Sequence, residues 1–351
     1  MRRWVNRPQG SNWGDYGDDD QLGSLNRIGP EEIRAAVAEV REGIAFCLSL
    51  PLDYPGGRIL APHRSPPKLR PTTRQGHPYF NYGFRHELSS LCDLGCDDEV
   101  TLSTQYSTQW DGFAHIGYEF DADGDGVAEP RYYNGYRAHV DIRSPEEREE
   151  REAAAGPSQE RLRGDVPHMP LGIDAFAKKP IQGRGVMVDL TAHVGRGGRT
   201  IGMRKLDDIL RADGVDVRSG DILCLHTGFA DEILAMEGSP DPERVHHMCA
   251  ALDGTDQALL EWISASGIAA IAADNYAVER IDRPPRPGAL MLVPLHHHCL
   301  FKRGVPLGEL WHLTELAVWL RANGRHHFLL TAPSLRLPGA IGSPVTPVAT
   351  V

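Results

Sequence analysis

Polar side chains of the kinds that bind metals and transfer protons are concentrated in residues 105–115, QYSTQWDGFAH. Alternate residues of an extended chain point to the same side. The polar residues that would share this side are Gln105, Ser107, Gln109, Asp111 and His115. A carboxylate can bind a metal ion, and a nearby imidazole can act as a base near neutral pH. Asp111 and His115 are therefore candidate catalytic residues, with the polar outer face of an edge strand as the alternative.

Three consecutive histidines at 296–298, with Glu309 downstream, form the second candidate group. Gly304 allows the chain to reverse between them, so that one histidine and the Glu309 carboxylate can approach each other. Three consecutive side chains cannot all face one site, so at most two of them would be ligands. The residues alone do not select which, and histidines that are hydrogen-bonded or at the surface are the alternative.

Residues 105–115 resemble the signature of the cyclase family, a large group of metal-dependent hydrolases that includes bacterial kynurenine formamidase and isatin hydrolase. The signature is His-x-Gly-Thr-His-x-Asp-x-Pro-x-His, and this sequence matches it without gaps, keeping Thr108, Asp111 and His115. Further motifs that resemble the family are Trp13-Gly14, residues 20–26, Arg184-Gly185-Val186 with Asp189, Gly220-Asp221 with Thr227-Gly228, and Asp274. The resemblance therefore covers most of the chain.

The histidine triplet also resembles a family motif. The family has His-x-x-Leu-Leu, then a glycine, then a glutamate twelve residues after the histidine, and His297, Leu300, Gly304 and Glu309 have this spacing. The resemblance implies that His297 is the member of the triplet that binds the metal.

Two glutamines, Gln105 and Gln109, stand where the family signature has histidine ligands. An amide oxygen is a neutral and weaker ligand than imidazole, and it suits hard cations better than zinc. The ligands that the resemblance then implies are Asp111, His297, Glu309 and Gln109. Such a set would bind one Mn²⁺ or Zn²⁺ and leave a position open for water. A two-metal site is disfavoured, and a site that binds metal weakly or not at all is the alternative.

The resemblance implies a mechanism in which the metal polarises a carbonyl group and activates water. His115 would act as the base and would then protonate the leaving group. Hydrogen bonds to the developing oxyanion are predicted from Gln105, Ser107 or Thr108. An aromatic wall for a flat substrate is predicted from Trp110, Phe113, Tyr132 and Tyr133, with core packing as the alternative.

The predicted function is metal-dependent hydrolysis of an amide, lactam or lactone bond in a small cyclic or aromatic metabolite, as in kynurenine formamidase. One alternative is a lyase or cyclase that dehydrates a substrate or closes a ring with the same acid–base pair. Another is a non-catalytic protein that lost the histidine ligands and only binds a small molecule. Family members are usually dimers or tetramers, so a homodimer or homotetramer is expected.

Residues 121–126, DADGDG, resemble the start of a calcium-binding loop. The ninth position of such a loop would be Glu129, but the twelfth is Tyr132 in place of a bidentate glutamate. An Asp- and Gly-rich turn is therefore preferred over a Ca²⁺ site.

Short apolar runs alternate with helical patterns in the second half of the chain, which indicates a layered α/β arrangement. Buried strands are predicted at 185–190, 222–226, 268–273 and 290–295, and helices at 204–212, 256–265 and 309–323. An earlier helix is predicted to start at Pro30 and to end near Gly43. Together with the resemblance, this predicts a single α/β domain over residues 1–351, of the swivelling β/β/α type with a mixed sheet and flanking helices.

Two stretches are predicted to lie outside this framework. Residues 51–88 are rich in Pro, Gly and Arg, which indicates a long irregular excursion that bears on substrate specificity. Residues 144–160 are highly charged, which indicates a solvated helix or a surface insertion.

Composition excludes several classes of protein. The 351 residues include 37 Lys and Arg against 48 Asp and Glu, which gives a formal net charge of −11. Because phosphates would repel such a chain, neither nucleic acid nor an anionic membrane is expected as a partner. The start of the chain lacks the pattern of a secretory signal, and the six cysteines lack a zinc pattern. A cytoplasmic protein with free thiols is predicted, and the sixteen histidines leave a metalloenzyme open.

Overall fold

A nine-stranded mixed sheet forms the centre of the computed structural model, which describes residues 2–147, 169–281, 285 and 287–351. In order across the sheet, the strands are Ala45–Cys47, Val348–Thr350, His327–Thr331, Gln182–Asp189, Ile222–His226, Ala270–Ala273, Leu307–Glu309, Gln109–Asp111 and Gly342–Pro344. The four strands from Gln182–Asp189 to Leu307–Glu309 are parallel to one another, and the other pairs are antiparallel. The predicted α/β fold with a mixed sheet is confirmed.

Three of the four predicted strands exist, and they form the parallel centre of the sheet. Almost every residue of these strands is buried, which is why they appear in the sequence as continuous apolar runs without alternation.

The fourth predicted strand, at 290–295, is wrong. Leu290 is 82 % exposed, and Pro294 starts the short helix Pro294–His296 instead of pairing with a neighbour. Proline has no N–H group to donate to a sheet, so the apolar run cannot continue as a central strand. The fourth parallel strand is Leu307–Glu309, of which only Glu309 had been assigned to an element, as the first residue of a predicted helix.

Helices flank the sheet, as predicted. The α-helices are Pro30–Val37, Asp174–Lys178, Leu190–Val194, Met203–Asp213, Phe229–Leu234, Pro242–Val245, Gln257–Ser266, Pro294–His296 and Thr314–Ala322, and His297–Arg303 forms a π-helical turn. Three-residue or five-residue 3₁₀ turns lie at Gly23–Arg27, Phe84–His86 and Tyr133–Gly135. Within the described part of the chain, none of these helices is both long enough and apolar enough to cross a bilayer.

The predicted helices at 204–212 and 256–265 are confirmed, and glycines in the left-handed conformation end both of them. The helix predicted at 309–323 starts only at Thr314, since Glu309 ends the strand Leu307–Glu309 and residues 310–313 connect that strand to the helix. The first helix ends at Val37, earlier than predicted, since Val37 is 53 % exposed and only Ala36 of this helix is fully buried.

The excursion at 51–88 is less irregular than predicted. It contains short strands that form three small antiparallel sheets, Lys68–Pro71 with Asp98–Thr101, Thr73–Arg74 with His77–Pro78, and Tyr82–Gly83 with Leu94–Gly95. Two further pairs are Tyr118–Phe120 with Glu129–Arg131 and Thr200–Ile201 with Ala251–Leu252. Of the charged stretch at 144–160, residues 148–160 lie outside the described residues.

The core behind the strand Gln109–Asp111 is aromatic. Trp110 is fully buried, its ring centroid lies 4.9 Å from that of Trp311, and its indole N–H donates to the Ala332 carbonyl oxygen at 2.9 Å. Phe113 is also fully buried. We therefore correct the prediction that Trp110 and Phe113 contact the substrate, because both side chains are used in core packing.

Candidate functional site

Four titratable side chains converge at one place beside the sheet. Ligand atoms of Asp111, His115 and His296 all lie within 4.8 Å of one another. The Oε1 atom of Glu309 lies 3.2 Å from Nε2 of His296. Asp111, His296 and Glu309 are buried, and His115 is partly exposed. His115 is therefore the member of this cluster that faces an incoming molecule.

The register of two antiparallel strands sets the position of the carboxylates. Gln109 lies directly opposite Glu309, and Asp111 lies opposite Leu307. Directly opposed residues share a face of the sheet, and alternate residues of one strand do so as well. Gln109, Asp111 and Glu309 therefore present their side chains to the same side, whereas Trp110 points into the core.

A turn after the strand brings His115 back to Asp111. A Cβ atom at Gly112 would lie 2.6 Å from the carbonyl oxygen of Ile341, so only glycine fits where the strand ends. The backbone N–H of His115 then donates to the Gly112 carbonyl oxygen at 3.0 Å. The single extended face predicted for 105–115 is thus wrong outside the strand Gln109–Asp111, because a turn and not a strand places His115.

The two glutamines hold the carboxylates through their amide N–H groups. Gln105 Nε2 donates to Asp111 Oδ1, and Gln109 Nε2 lies 3.3 Å both from Asp111 Oδ1 and from Glu309 Oε2. This leaves Asp111 Oδ2 and Gln109 Oε1 buried without a hydrogen-bond donor among the described residues. Two buried acceptors thus remain unsatisfied beside the histidines, an arrangement that costs about 1–3 kcal/mol for each group.

His296 is held by a residue that the sequence analysis missed. Its Nδ1 atom lies 2.8 Å from Oε1 of Glu279, and Glu279 also accepts the backbone N–H groups of Leu295 and His296 at 2.9 Å each. With Nδ1 donating to Glu279, the Nε2 atom is directed at Glu309 and Asp111. No spacing rule connects Glu279 to the histidine triplet, so nothing in the sequence indicated it.

His296, and not His297, is the histidine that reaches the carboxylates. The His297 ring packs 4.6 Å from the Tyr118 ring and stacks 5.1 Å from the Phe301 ring, between centroids. The two histidines are consecutive residues where the helix Pro294–His296 meets the π-helical turn His297–Arg303, so their side chains point in different directions and only that of His296 faces Glu309. We therefore correct the predicted ligand from His297 to His296.

Burial and charge shift the pKa values of these groups in opposite directions. Burial lowers the pKa of His115, so its imidazole is neutral at neutral pH. Burial also lowers the pKa of His296, but hydrogen bonds to Glu279 and Glu309 outweigh this and raise it to about 10. For Glu309, burial raises the pKa, and the hydrogen bond with His296 outweighs it and lowers the pKa. The site thus holds one neutral and one charged imidazole.

Two predicted oxyanion donors have other partners. The Ser107 hydroxyl donates to the Pro51 carbonyl oxygen at 3.3 Å. The Thr108 hydroxyl donates to the Leu310 carbonyl oxygen and accepts the Leu50 N–H at 2.9 Å. We correct the prediction for these two residues, because both hydroxyls fasten the start of the 51–88 excursion to the sheet.

Three further residues were predicted to contact the substrate, and the structure places them in different surroundings. Tyr133 is fully buried and its hydroxyl lies 3.1 Å from Asp20, so it belongs to the core. Tyr132 is half-buried, and its contact with a substrate stays a prediction. Gln105 is hydrogen-bonded to Asp111 and so lies next to the cluster, and its contact with a substrate also stays a prediction.

The acidic loop at 121–126 has its own internal partners. Asp121, Asp123 and Asp125 offer oxygen atoms within 4.8 Å of one another. Asp121 accepts the backbone N–H groups of Gly124 and Gly126, and the buried Arg131 guanidinium forms ion pairs with Asp123 and Glu129. A cationic side chain thus pairs with two of the acids that a Ca²⁺ ion would need, which favours the Asp- and Gly-rich turn.

Comparisons with known proteins agree on one family. The family model described as "Putative cyclase" matches residues 47–280. A crystal structure of "a novel cyclase" is 30 % identical, with 97 % of each chain covered and a TM-score of 0.72. No match was found among curated proteins.

Two isatin hydrolases share the fold at low identity. Isatin hydrolase A from Ralstonia solanacearum is 13 % identical, with 90 % of this chain and 95 % of that chain covered and a TM-score of 0.54. Isatin hydrolase A from Labrenzia aggregata, bound to benzyl benzoate, is 11 % identical over the same shares of the two chains, also with a TM-score of 0.54.

The Glu279–His296 pair predicts how the stability of the metal-free protein depends on pH. Because the pKa of folded His296 lies above its ordinary value of 6.5, its stabilising effect is complete below pH 6.5 and is lost as the pH rises to about 10. We expect the free energy of unfolding to fall over this window by up to about 5 kcal/mol, since one pKa unit corresponds to about 1.4 kcal/mol. Denaturant unfolding of chelator-treated protein measures it.

Glu279→Gln should flatten this pH profile, since an amide does not stabilise the imidazolium. Asp213→Asn is the matched control, because it removes the carboxylate that lies 2.8 Å from the ring of His193, away from the site. A profile that keeps its full slope in Glu279→Gln would contradict the assignment.

Proposed function

This chain belongs to the cyclase family, and from that premise we propose that it is a metal-dependent hydrolase. The bond it opens would be an amide, lactam or lactone in a small cyclic or aromatic metabolite, as the resemblance of residues 105–115 to the family signature suggests. The observation that supports the proposal most is the unsatisfied buried atom Asp111 Oδ2, because ligand atoms of Asp111 and of two histidines, His115 and His296, lie within 4.8 Å of one another.

A divalent cation fits these residues. Asp111 and Gln109 offer free oxygen atoms, and His296 offers Nε2 once Nδ1 donates to Glu279. Glu309 adds a second carboxylate. Carboxylate, amide oxygen and imidazole together suit Mn²⁺ or Zn²⁺. The ligands that we propose are therefore Asp111, Gln109, His296 and Glu309.

The amide groups favour one ion over two. Asp111 Oδ1 already accepts from both Gln105 and Gln109, so only Oδ2 is free. Gln109 directs its N–H group at Asp111 Oδ1 and Glu309 Oε2, and its Oε1 atom accepts no hydrogen bond from the described residues. The glutamines thus fix the Asp111 carboxylate so that one of its oxygens can bind a cation.

His115 is the residue that we assign to proton transfer. A bound divalent cation would act as a Lewis acid, polarising the scissile carbonyl group and acidifying the attacking water. The lowered pKa keeps His115 neutral at neutral pH, so it can accept a proton from that water. Asp111 stabilises the imidazolium that forms, and His115 then returns the proton to the leaving nitrogen or oxygen.

Metal analysis combined with a substrate panel tests the proposed function. The panel contains aryl formamides, lactams and lactones, and product masses are measured. A stoichiometric divalent metal and products that gain one water are expected. Loss of water from a substrate would instead indicate a lyase or cyclase. Metal-free protein that binds members of the panel without turnover would indicate a non-catalytic binding protein.

His115→Ala should reduce kcat/KM by about 10²–10⁴-fold, the usual contribution of a general base. For the native protein, kcat/KM should decrease as the pH falls and the imidazole is protonated. His139→Ala is the control, since His139 is exposed and pairs only with Glu147 among the described residues. Turnover of His115→Ala within a few-fold of the native rate would show that another group is the base.

His296→Ala and His297→Ala form a matched pair that tests the corrected ligand. We expect His296→Ala to weaken metal binding at least tenfold, because it removes a ligand atom. His297→Ala should keep a stoichiometry of one metal per chain. Titration of the chelator-treated proteins with Mn²⁺ and Zn²⁺ measures this without reference to activity, and the reverse result would restore His297.

A further inference from the structure

Arg64 brings a positive charge from the 51–88 excursion to the edge of the site. Its guanidinium donates to the carbonyl oxygen of Gln105 at 2.6 Å. The Gln105 side chain donates in turn to Asp111, so a single residue separates the guanidinium from the proposed ligand. Arg64 is partly buried, and with Tyr106 and Leu310 it lines a small cavity beside the strand that contains Glu309.

The charge of Arg64 acts on the site residues. Burial is the main cause of the lowered pKa of His115, and the Arg64 charge adds to it. For Glu309, the hydrogen bond with His296 outweighs the effect of burial, and Arg64 lowers the pKa further. The position of the guanidinium itself is set by its hydrogen bond to Gln105, whose side chain is bonded to Asp111.

Most of the hydrogen-bonding capacity of Arg64 is unused. A guanidinium has five N–H donors, and its hydrogen bond to Gln105 is the only side-chain bond that Arg64 makes within the described residues. It forms no ion pair with those residues. Arg184, by contrast, is buried and bonded in a bidentate manner to Asp221. Arg64 therefore offers a planar fork of N–H donors that no carboxylate of the described residues occupies.

An anionic ligand at this place needs such a partner. Asp111 and Glu309 would repel a carboxylate, and a bound cation together with a guanidinium would offset that repulsion. Hydrolysis of an amide, lactam or lactone also leaves a carboxylate where the carbonyl group was. The charge that the site must accommodate is thus of the type that arginine binds through two parallel hydrogen bonds.

We propose that Arg64 is the residue that binds a carboxylate group of the ligand, either one that the substrate already has or the one that hydrolysis produces. The inference rests on the proposed function, and it makes the excursion at 51–88 the part of the chain that selects carboxylate-bearing compounds.

Binding of benzoate and of its neutral counterpart benzamide tests this without turnover. Calorimetry is done on metal-loaded and on chelator-treated protein. We expect Arg64→Gln to lower the affinity for benzoate at least tenfold and to leave the affinity for benzamide unchanged. Arg64→Lys should restore part of the affinity. Arg70→Gln is the matched control, since Arg70 lies in the same excursion but is exposed on the strand Lys68–Pro71. Unchanged benzoate affinity in Arg64→Gln, or native protein that does not bind benzoate, would overturn the proposal.

Kinetics then distinguish the two sources of the carboxylate. If the substrate has its own, Arg64→Gln raises KM for carboxylate-bearing members of the panel and not for neutral ones. If the group is the one formed, Arg64→Gln raises the inhibition constant of the product and leaves KM unchanged. Native protein that binds benzoate through Arg64 but hydrolyses nothing would refute the proposed function and leave this assignment standing.

Discussion

The antiparallel register between Gln109–Asp111 and Leu307–Glu309 joins two segments that are 200 residues apart in the chain. That register decides that Gln109 faces Glu309 and that Asp111 lies two residues further on the same side. A shift by one residue would turn Trp110 outward and bury the wrong side chains. The fully buried Trp110 and Trp311, in contact behind the strand, make such a shift costly. The core thus fixes the geometry of the polar cluster in front of it.

The second constraint is the negative charge that this cluster buries. Asp111, Glu279 and Glu309 are carboxylates with almost no exposure to solvent. Buried charges are stable only when they are paired and hydrogen-bonded. The structure provides His296 between two of them and glutamine amide groups around the third. The compensation is incomplete at Asp111 Oδ2, and that remaining oxygen is the atom to which we assign cation binding.

The sequence indicated the chemistry of the site better than its geometry. Asp111, His115 and Glu309 were found because residue types at fixed spacing survive in a family signature. His297 was chosen by the same spacing, whereas the structure directs the neighbouring His296 at Glu309, a difference of one residue that the spacing did not reveal. Ser107 and Thr108 were misassigned because polar spacing does not show whether a hydroxyl faces a ligand or the backbone.

The sequence predicted part of the sheet correctly and part of it wrongly. Apolar runs identified three central parallel strands, because both faces of those strands are buried. The fourth parallel strand, Leu307–Glu309, is too short to be detected, and a longer apolar run at 290–295 was preferred to it. An apolar run forms a central strand only where its side chains are buried, and hydrophobicity alone does not show this, as the exposed Leu290 demonstrates.

The Thr108 hydroxyl, bonded to Leu50 and Leu310, marks the junction between the sheet on one side and the 51–88 excursion on the other. The groups to which we assign proton transfer and cation binding lie outside this excursion, on the sheet, on the turn after Asp111 and on the helix Pro294–His296. The excursion on the other side begins from a fixed point, so insertions or substitutions within it leave those groups in place while they move Arg64. A change of substrate range is thus accessible by altering one loop, which makes this segment the natural region to randomise when new specificities are engineered.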